Sequence, residues 1–471
     1  MPLIVMANLE SVGEAFANGL KAADAFLWGP PLLILLFGTH LFFTIRLCFV
    51  QRHLGKAFVI IADRDKSEKG DVSPFAALAV ALASTIGIGN IVGVATAIVL
   101  GGPGAVFWCM FAGVFGMATK YAESLLAVRY RVRSADGSTH GGPMYTMLNG
   151  VKNKTLAKIM AFAFAIFASV AVLGTGNLTQ SNAIAGIVKD TFGVPLWISG
   201  IAVAILVALV IIGGLQSIAK VCTYMVPFMS IVYLGGCAVL LVMNFGLLDD
   251  AVKIIISNAF SLEAAGGGAA GYAFMLAARF GIARGLFSNE AGMGSEPIVA
   301  ACAKTRNTVR QGLVSYSGTF CTIIICAVTG LVLVSGALAR PEAVSLHDTN
   351  SILAQRCFEQ IPYIGKYLLV FGIFAFAITT VLGWFYYGQE CLRFMNGKPA
   401  VLFGYKILYV LLVFVGSVSM LSVVWDFANF ANGLMVIPNI LSLLILNKVV
   451  VAETRKYLWN RKLDEVDPTI Q

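Results

Sequence analysis

The chain has 471 residues, of which 58% are hydrophobic and only 12% charged, with a formal net charge of +9. A water-soluble protein of this length needs far more polar surface to cover its core, so the solvent for most of its exterior is lipid. The positive charge is no nucleic-acid footprint, which would require a clustered basic domain and a fold to present it.

Apolar runs longer than about 18 residues recur along the chain, and a bilayer-spanning helix needs about 20 residues. Unsatisfied backbone is too costly in hydrocarbon for anything but helices or closed barrels, and the run 201–212 lacks a barrel strand's alternation. Eleven helical spans are predicted, at 28–49, 75–100, 107–128, 159–182, 194–215, 221–245, 269–303, 313–337, 367–391, 401–421 and 424–447. The N-terminus has no basic n-region followed by an apolar stretch, so no cleavable signal is predicted and the first span serves for insertion. That span holds His40, the one histidine of four inside a span, with no evident partner. The stretch 63–71 (DRDKSEKGD) reads as a solvated linker.

The second span is interrupted at mid-depth by Ala83-Ser84-Thr85-Ile86-Gly87-Ile88-Gly89-Asn90. On the third, Lys120 and Glu123 are three apart and predict a pair on one helix face. The fourth carries the run 174–182 (GTGNLTQSN), too polar to face lipid; Gln180 is a candidate donor to a substrate carboxylate, while Ser181 and Asn182 read equally well as an outer helix end. On the sixth, the basic residue is Lys220, at its start. A glycine-rich approach at 264–271 leads into the seventh span, which is broken at Phe287-Ser288-Asn289-Glu290-Ala291-Gly292-Met293-Gly294-Ser295-Glu296-Pro297. Arg279 and Arg284 there are candidates for a gate or a carboxylate pair, and Glu290 for bracing the break. The ninth span holds the hydroxyl pair Thr379 and Thr380, then Trp384, with Glu390 and Arg393 reading as a helix end. The cysteines read as small core residues, with Cys357 alone in a loop, so no disulfide framework is expected.

Each glycine weakens a helix by about 1 kcal/mol relative to alanine, and polar groups at membrane depth are functional by default. Setting the first span aside, the two breaks fall in the first helix of each of two five-helix blocks. Such matched interruptions point to an inverted-repeat transporter with its site near the midplane, a rule for which the LeuT type is the standard example. The predicted units are 1–74 (outer segment, extra span, linker), 75–245 and 246–447 (the two repeats) and a tail at 448–471.

Basic residues collect in alternate connections, from Arg46 to Lys69, Arg129 to Lys158, Lys220, Lys304 to Arg310, Arg393 to Lys406, and in the tail. This bias places the N-terminus outside and the C-terminus in the cytoplasm.

A broken helix offers N–H groups and a positive dipole end to a carboxylate, and free carbonyls to a cation or an ammonium group. Ile88 and Gly89 are candidate N–H donors, with Ala83, Thr85 and Ile86 as carbonyl donors to the cation. Ser288, Asn289 and Ala291 would complete the cage. Gly87, Gly89 and Gly292 let backbone approach the ligand, and Trp384 would wall the pocket or simply pack in the bundle. A second cation among Thr85, Asn90 and Asn289 is a weaker reading.

The stretches Gly102-Pro103-Gly104-Ala105-Val106-Phe107-Trp108, Arg284-Gly285-Leu286-Phe287-Ser288-Asn289-Glu290-Ala291-Gly292 and Leu382-Gly383-Trp384-Phe385-Tyr386-Tyr387-Gly388 resemble the alanine/glycine:cation symporter family. Ile88 departs from the pattern where some members are expected to carry a small or polar residue. The resemblance implies an all-α, LeuT-like fold of ten core helices plus one in front. It also implies sodium-coupled import of a small neutral amino acid, alanine or glycine, across the inner membrane. By the same resemblance, sodium lies between the carbonyls of Ala83 and Ile86 and the hydroxyls of Thr379 and Thr380. The alternative for each threonine is a bond back to its own helix. Sodium is the coupling ion and no other cofactor is expected. A proton-coupled transporter of the same fold is the nearest rival, an ion channel a more distant one. An intramembrane enzyme would need a nucleophile with a base, or a metal cluster.

Overall fold

The computed structural model describes residues 18–62, 70–260, 269–346, 350–419 and 421–470. Residues 63–69 of the charged linker and 264–268 of the glycine-rich approach lie outside them. Among the described residues, eight helices are long and apolar enough to cross a membrane, and a ninth span is the pair Pro74–Thr85 and Ile88–Gly101, bent by 63°. Two of the eleven predicted spans fall short of that measure. One is the 16-residue helix Leu196–Ile211; the other is the seventh, which divides into Ala269–Asn289 and the short turn Pro297–Ala300.

The span helices are α1 (Pro30–Arg46), α2 (Pro74–Thr85), α3 (Val92–Gly101), α4 (Ala105–Arg129), α5 (Lys154–Leu173), α6 (Thr179–Phe192), α7 (Leu196–Ile211), α8 (Gly214–Met243), α9 (Ala269–Asn289), α10 (Thr308–Ala339), α11 (Gly365–Met395), α12 (Pro399–Val418) and α13 (Leu421–Ile445). Their starts carry the expected chemistry. Ser73 accepts from the Ala76 N–H ahead of Pro74, Asn153 caps α5, and Asn307 caps α10. A side-chain oxygen at this position satisfies an N–H that the helix leaves free. Helices α5 and α6 join through a π turn at Gly174–Leu178 into one 39-residue span, longer than the predicted 159–182. Such π turns cluster at functional sites.

Helix α11 is largely enclosed, buried without interruption from Ala375 to Cys391, whereas α12 buries few of its residues. Polar groups on α11 therefore have protein, not lipid, to answer them. Ser181 and Asn182 are not an exposed helix end: both are buried, and Asn182 donates to the carbonyls of Gly416 and Ser419 at 2.9 and 2.8 Å.

At the end of the spans where basic residues collect, the chain is tied by backbone. Val72 pairs with Ala303 in a parallel bridge, and the Lys304 N–H donates to Val72 O at 2.9 Å. A two-stranded hairpin, β1 (Val132–Arg133) with β2 (Thr139–His140), brings His140 to 2.7 Å from the buried Glu390 carboxylate, which also meets Arg393 at 3.3 Å. Glu390 is thus an anchor between elements and not only a helix end. The tail folds back, with Arg310 to Asp464 at 2.6 Å and Asn307 donating to Leu463 O and Glu465 O. Eight described cysteines are covered at least in part and Cys48 is exposed; none forms a disulfide among the described residues.

Candidate functional site

Helix α2 stops at Thr85, and the Gly87 N–H, which would have bonded to Ala83 O, turns instead to Thr85 O at 3.1 Å and to Asn90 Oδ1 at 3.3 Å. That leaves the Ala83 carbonyl outside the helix ladder. It is met from α11 by the Thr380 hydroxyl, 2.9 Å away, which also lies 2.8 Å from its own Phe376 O. Thr379, the neighbour of Thr380, points elsewhere: its hydroxyl lies against Ala375 O and Phe376 O at 2.9 and 3.1 Å. The hydroxyl pair therefore divides, with one member at the break and the other bonded back to its helix.

Beyond the break, Ile88–Asn90 forms a tight 3-10 turn with Gly87 at its cap. The first N–H groups of such a turn have no acceptor within it, and here they belong to Ile88 and Gly89. Gln180, on α6, donates through Nε2 to Thr175 O at 3.1 Å, while its Oε1 is buried without a hydrogen-bond partner among the described residues. That oxygen faces Gly87, 3.4 Å from where a β-carbon there would stand. The sequence reading gave Gln180 a donor's part; here one N–H of its amide goes to Thr175 O, and the side-chain atom without a partner among the described residues is the acceptor oxygen. Trp384 donates from its indole to Ser84 O at 3.2 Å and packs closely against Gly176 of the π turn, so it touches both the break and that turn. Tyr387 meets the Ser84 hydroxyl at 2.6 Å.

The seventh-span break is held by one ion pair and several side-chain hydrogen bonds. Glu290 adopts a left-handed φ of 53°, and its carboxylate accepts from Ser295 at 2.5 Å, closing the loop. Gly292 and Gly294 also have positive φ, and a β-carbon at Gly292 would stand 2.6 Å from Leu36. Only glycine meets both demands at no cost. Lys120 does not pair with Glu123, as helix spacing suggested. Its ammonium crosses to the break, 3.0 Å from Glu296 and 3.1 Å from Glu290 O. Glu123 instead accepts from Asn439 of α13 at 2.6 Å, and the same amide donates to Gly292 O at 2.9 Å. Neighbouring helices thus supply what the broken ladder gave up.

Ser288 and Asn90 meet on one atom, the thiol of Cys326 on α10, at 3.1 and 3.5 Å. Cys326 joins the two breaks and was not singled out by sequence, where it read as core. Asn289 uses its oxygen to cap the Ala291 N–H at 2.8 Å, and its Nδ2 turns toward Gly113 and Gly116 of α4. Thr85 bonds back to Ala81 O at 2.9 Å. No hydrogen bond among the described residues joins Thr85, Asn90 and Asn289, the residues suggested for a second cation. His40 does have a partner, the Thr119 hydroxyl at 2.8 Å, which fastens α1 to α4 beside the seventh-span break. Arg284 is partly buried, with its guanidinium 5.8 Å from the Phe287 ring.

The second-span break thus offers three acceptors, Ala83 O, Thr380 Oγ1 and Gln180 Oε1, beside two N–H groups. A hydroxyl that donates its hydrogen keeps lone pairs for another partner. This combination suits a molecule carrying both an ammonium and a carboxylate, or a hard cation beside a carboxylate.

A family model described as the sodium:alanine symporter family matches residues 13–471. The chain is 47% identical over 452 residues to an uncharacterized transporter of Haemophilus influenzae, covering 95% of this chain and 97% of that one. It is 44% identical over 452 residues to the sodium/alanine symporter AgcS of Methanococcus maripaludis, covering 95% and 98%. Among solved structures, MhsT in complex with L-phenylalanine superposes with a TM-score of 0.56 at 14% identity, over 84% of this chain and 95% of that one. At that identity the likeness is one of fold.

Proposed function

This chain belongs to the sodium:alanine symporter family, and we propose that it imports alanine, glycine or both with sodium across the inner membrane by alternating access. The family and its named relatives are transporters, which sets the enzyme reading aside. The observation that carries the proposal is the Thr380 hydroxyl reaching from α11 to the Ala83 carbonyl. Sodium would replace that direct contact, held by Ala83 O, Ile86 O and Thr380 Oγ1, with Thr379 behind. The substrate carboxylate would take the N–H groups of Ile88 and Gly89, its ammonium Gln180 Oε1, with Ser288 closing the far side. Trp384 would limit the side chain. Glu290 and Lys120 keep the second break in shape. The buried lysine of the bundle, Lys120, is engaged by Glu296, whereas Lys220 is exposed; neither occupies the sodium position, which favours sodium over a proton.

In proteoliposomes with labelled alanine, Thr380→Ala is expected to raise the half-saturating sodium concentration about tenfold, the size of a lost hydrogen bond to a charged group. Thr379→Ala should have a smaller effect. Wild-type sodium dependence in Thr380→Ala would remove the site.

Trp384→Ala should weaken alanine binding and let valine or leucine compete, because a close-packed wall excludes extra methylenes at about 1–3 kcal/mol. An unchanged rank order in competition assays would take Trp384 out of the pocket.

The eleven-span topology with N-terminus outside, and the division into repeats at 75–245 and 246–447, belong to the same proposal. Ser345→Cys, exposed in its connection, should react with an impermeant thiol reagent from outside. Asp464→Cys, at the opposite end, should be protected until the membrane is opened. The reverse pattern would invert the orientation.

A further inference from the structure

A cleft runs along the lipid-facing side of the second-span break, between α2 and α8. Its deeper part is a cavity of about 230 Å³, closed behind by α10. On α2 it is lined by Phe75, Ala79 and Leu82, with Ile86 just past the helix end, and on α8 by Val226, Pro227, Ser230 and Leu234. Its shallower part, about 300 Å³, continues between Ser73 and Ala76 on one side and Gln216, Lys220 and Tyr224 on the other. On α8 the lining residues repeat at three- and four-residue intervals from Gln216 to Leu234, so they form one stripe. The two cavities are adjacent along the same pair of helices, Ala76 of the shallower one following Phe75 of the deeper one, and Tyr224 standing two residues before Val226.

The chemistry changes along the cleft. The deep part is almost wholly apolar, next to exposed Ile231 and Ile324. The shallow part holds an exposed ammonium, Lys220, that makes no ion pair among the described residues, with an amide and a phenol at hand. It lies at the end of the spans where basic residues collect. From Lys220 to Leu234 the helix rises about 21 Å, and half a bilayer's hydrocarbon is about 15 Å deep. The cleft is therefore long enough for a headgroup at Lys220 and one acyl chain below it.

We propose that this cleft binds one anionic phospholipid, its phosphate at Lys220 and its chain in the apolar groove against Ile86. Hydrocarbon fills a groove that water would leave at a cost, and the single cation selects headgroups of net negative charge. The chain lies behind the residue whose carbonyl faces the proposed cation site, so lipid and break share one wall. The proposal does not rest on which solute is carried, and its test does not read transport.

Purified protein would be exchanged into phosphatidylglycerol or phosphatidylcholine and examined by native mass spectrometry. Wild type is expected to retain one phosphatidylglycerol under activation that strips phosphatidylcholine. Lys220→Gln should weaken retention about fivefold, the worth of one basic residue near an anionic surface. Ser230→Phe, which fills the groove without touching the charge, should lower it too. Lys398→Gln, an exposed lysine outside the cleft, should leave it unchanged. Equal retention of both lipids by wild type, or loss in Lys398→Gln equal to that in Lys220→Gln, would overturn the proposal.

Discussion

Replacing Lys120 by methionine is expected to destabilise the transporter by about 3–5 kcal/mol, the usual result of leaving a buried carboxylate without its partner. Lys120 is fully buried, and its ammonium lies 3.0 Å from Glu296 and 3.1 Å from the Glu290 carbonyl. Both acceptors belong to the stretch where the seventh span has no helix of its own to satisfy it. Methionine fills the space but supplies no donor, so Glu296 is left uncompensated and the loop loses its tie to α4. The double variant Lys120→Met with Glu296→Gln should recover part of the loss, because it removes the carboxylate at ion-pair distance while Glu123 and Glu290 still lose the lysine's charge. Thermal unfolding of the purified protein in detergent measures both. A single variant as stable as wild type would mean that the pair contributes nothing and that Ser295 and Asn439 hold the loop alone.

The second large effect is expected from a single methyl group. In Gly87→Ala the new β-carbon would stand 2.8 Å from Thr380 Oγ1 and 3.4 Å from Gln180 Oε1. The first distance is too short to keep. Thr380 is β-branched and therefore stiff about its first side-chain torsion in a helix, so its hydroxyl cannot simply swing aside. Either α11 moves back or the link to Ala83 O breaks. Overpacking of this kind costs about 1–3 kcal/mol, and borne by the proposed cation site it means a ten- to hundredfold loss of sodium-driven alanine uptake. Gly89→Ala provides the contrast, since its β-carbon would meet the Phe287 ring at an ordinary 3.5 Å and its N–H remains. Adding Thr380→Ser to Gly87→Ala should restore part of the activity, because serine keeps the hydroxyl without the branch. Sodium titrations of uptake on the three variants decide the matter; a Gly87→Ala protein with wild-type sodium dependence would place the ion elsewhere.

The membrane class, most of the spans and both breaks were legible in the sequence because each depends on local composition. A run of 20 apolar residues has one stable form in lipid. Glycines and polar groups in the middle of such a run weaken that form wherever the helix is placed. The family motifs added the substrate class and the sodium, which composition alone does not give. What only the tertiary structure decided is which atoms face one another. Thr379 and Thr380 are adjacent and chemically identical, yet about 100° apart around the helix, and the packing of α11 against α2 selects the second. Lys120 has Glu123 within helical reach, but the ammonium goes to Glu296, 176 residues away in sequence, where a broken helix leaves carbonyls and carboxylates unanswered. Gln180 presents its oxygen because its nitrogen is held by Thr175, and Cys326 joins the two breaks because α10 packs across both. A helix can be read from its own residues, but the direction in which a buried polar group is satisfied is set by whatever packs beside it, and those neighbours come from distant parts of the chain.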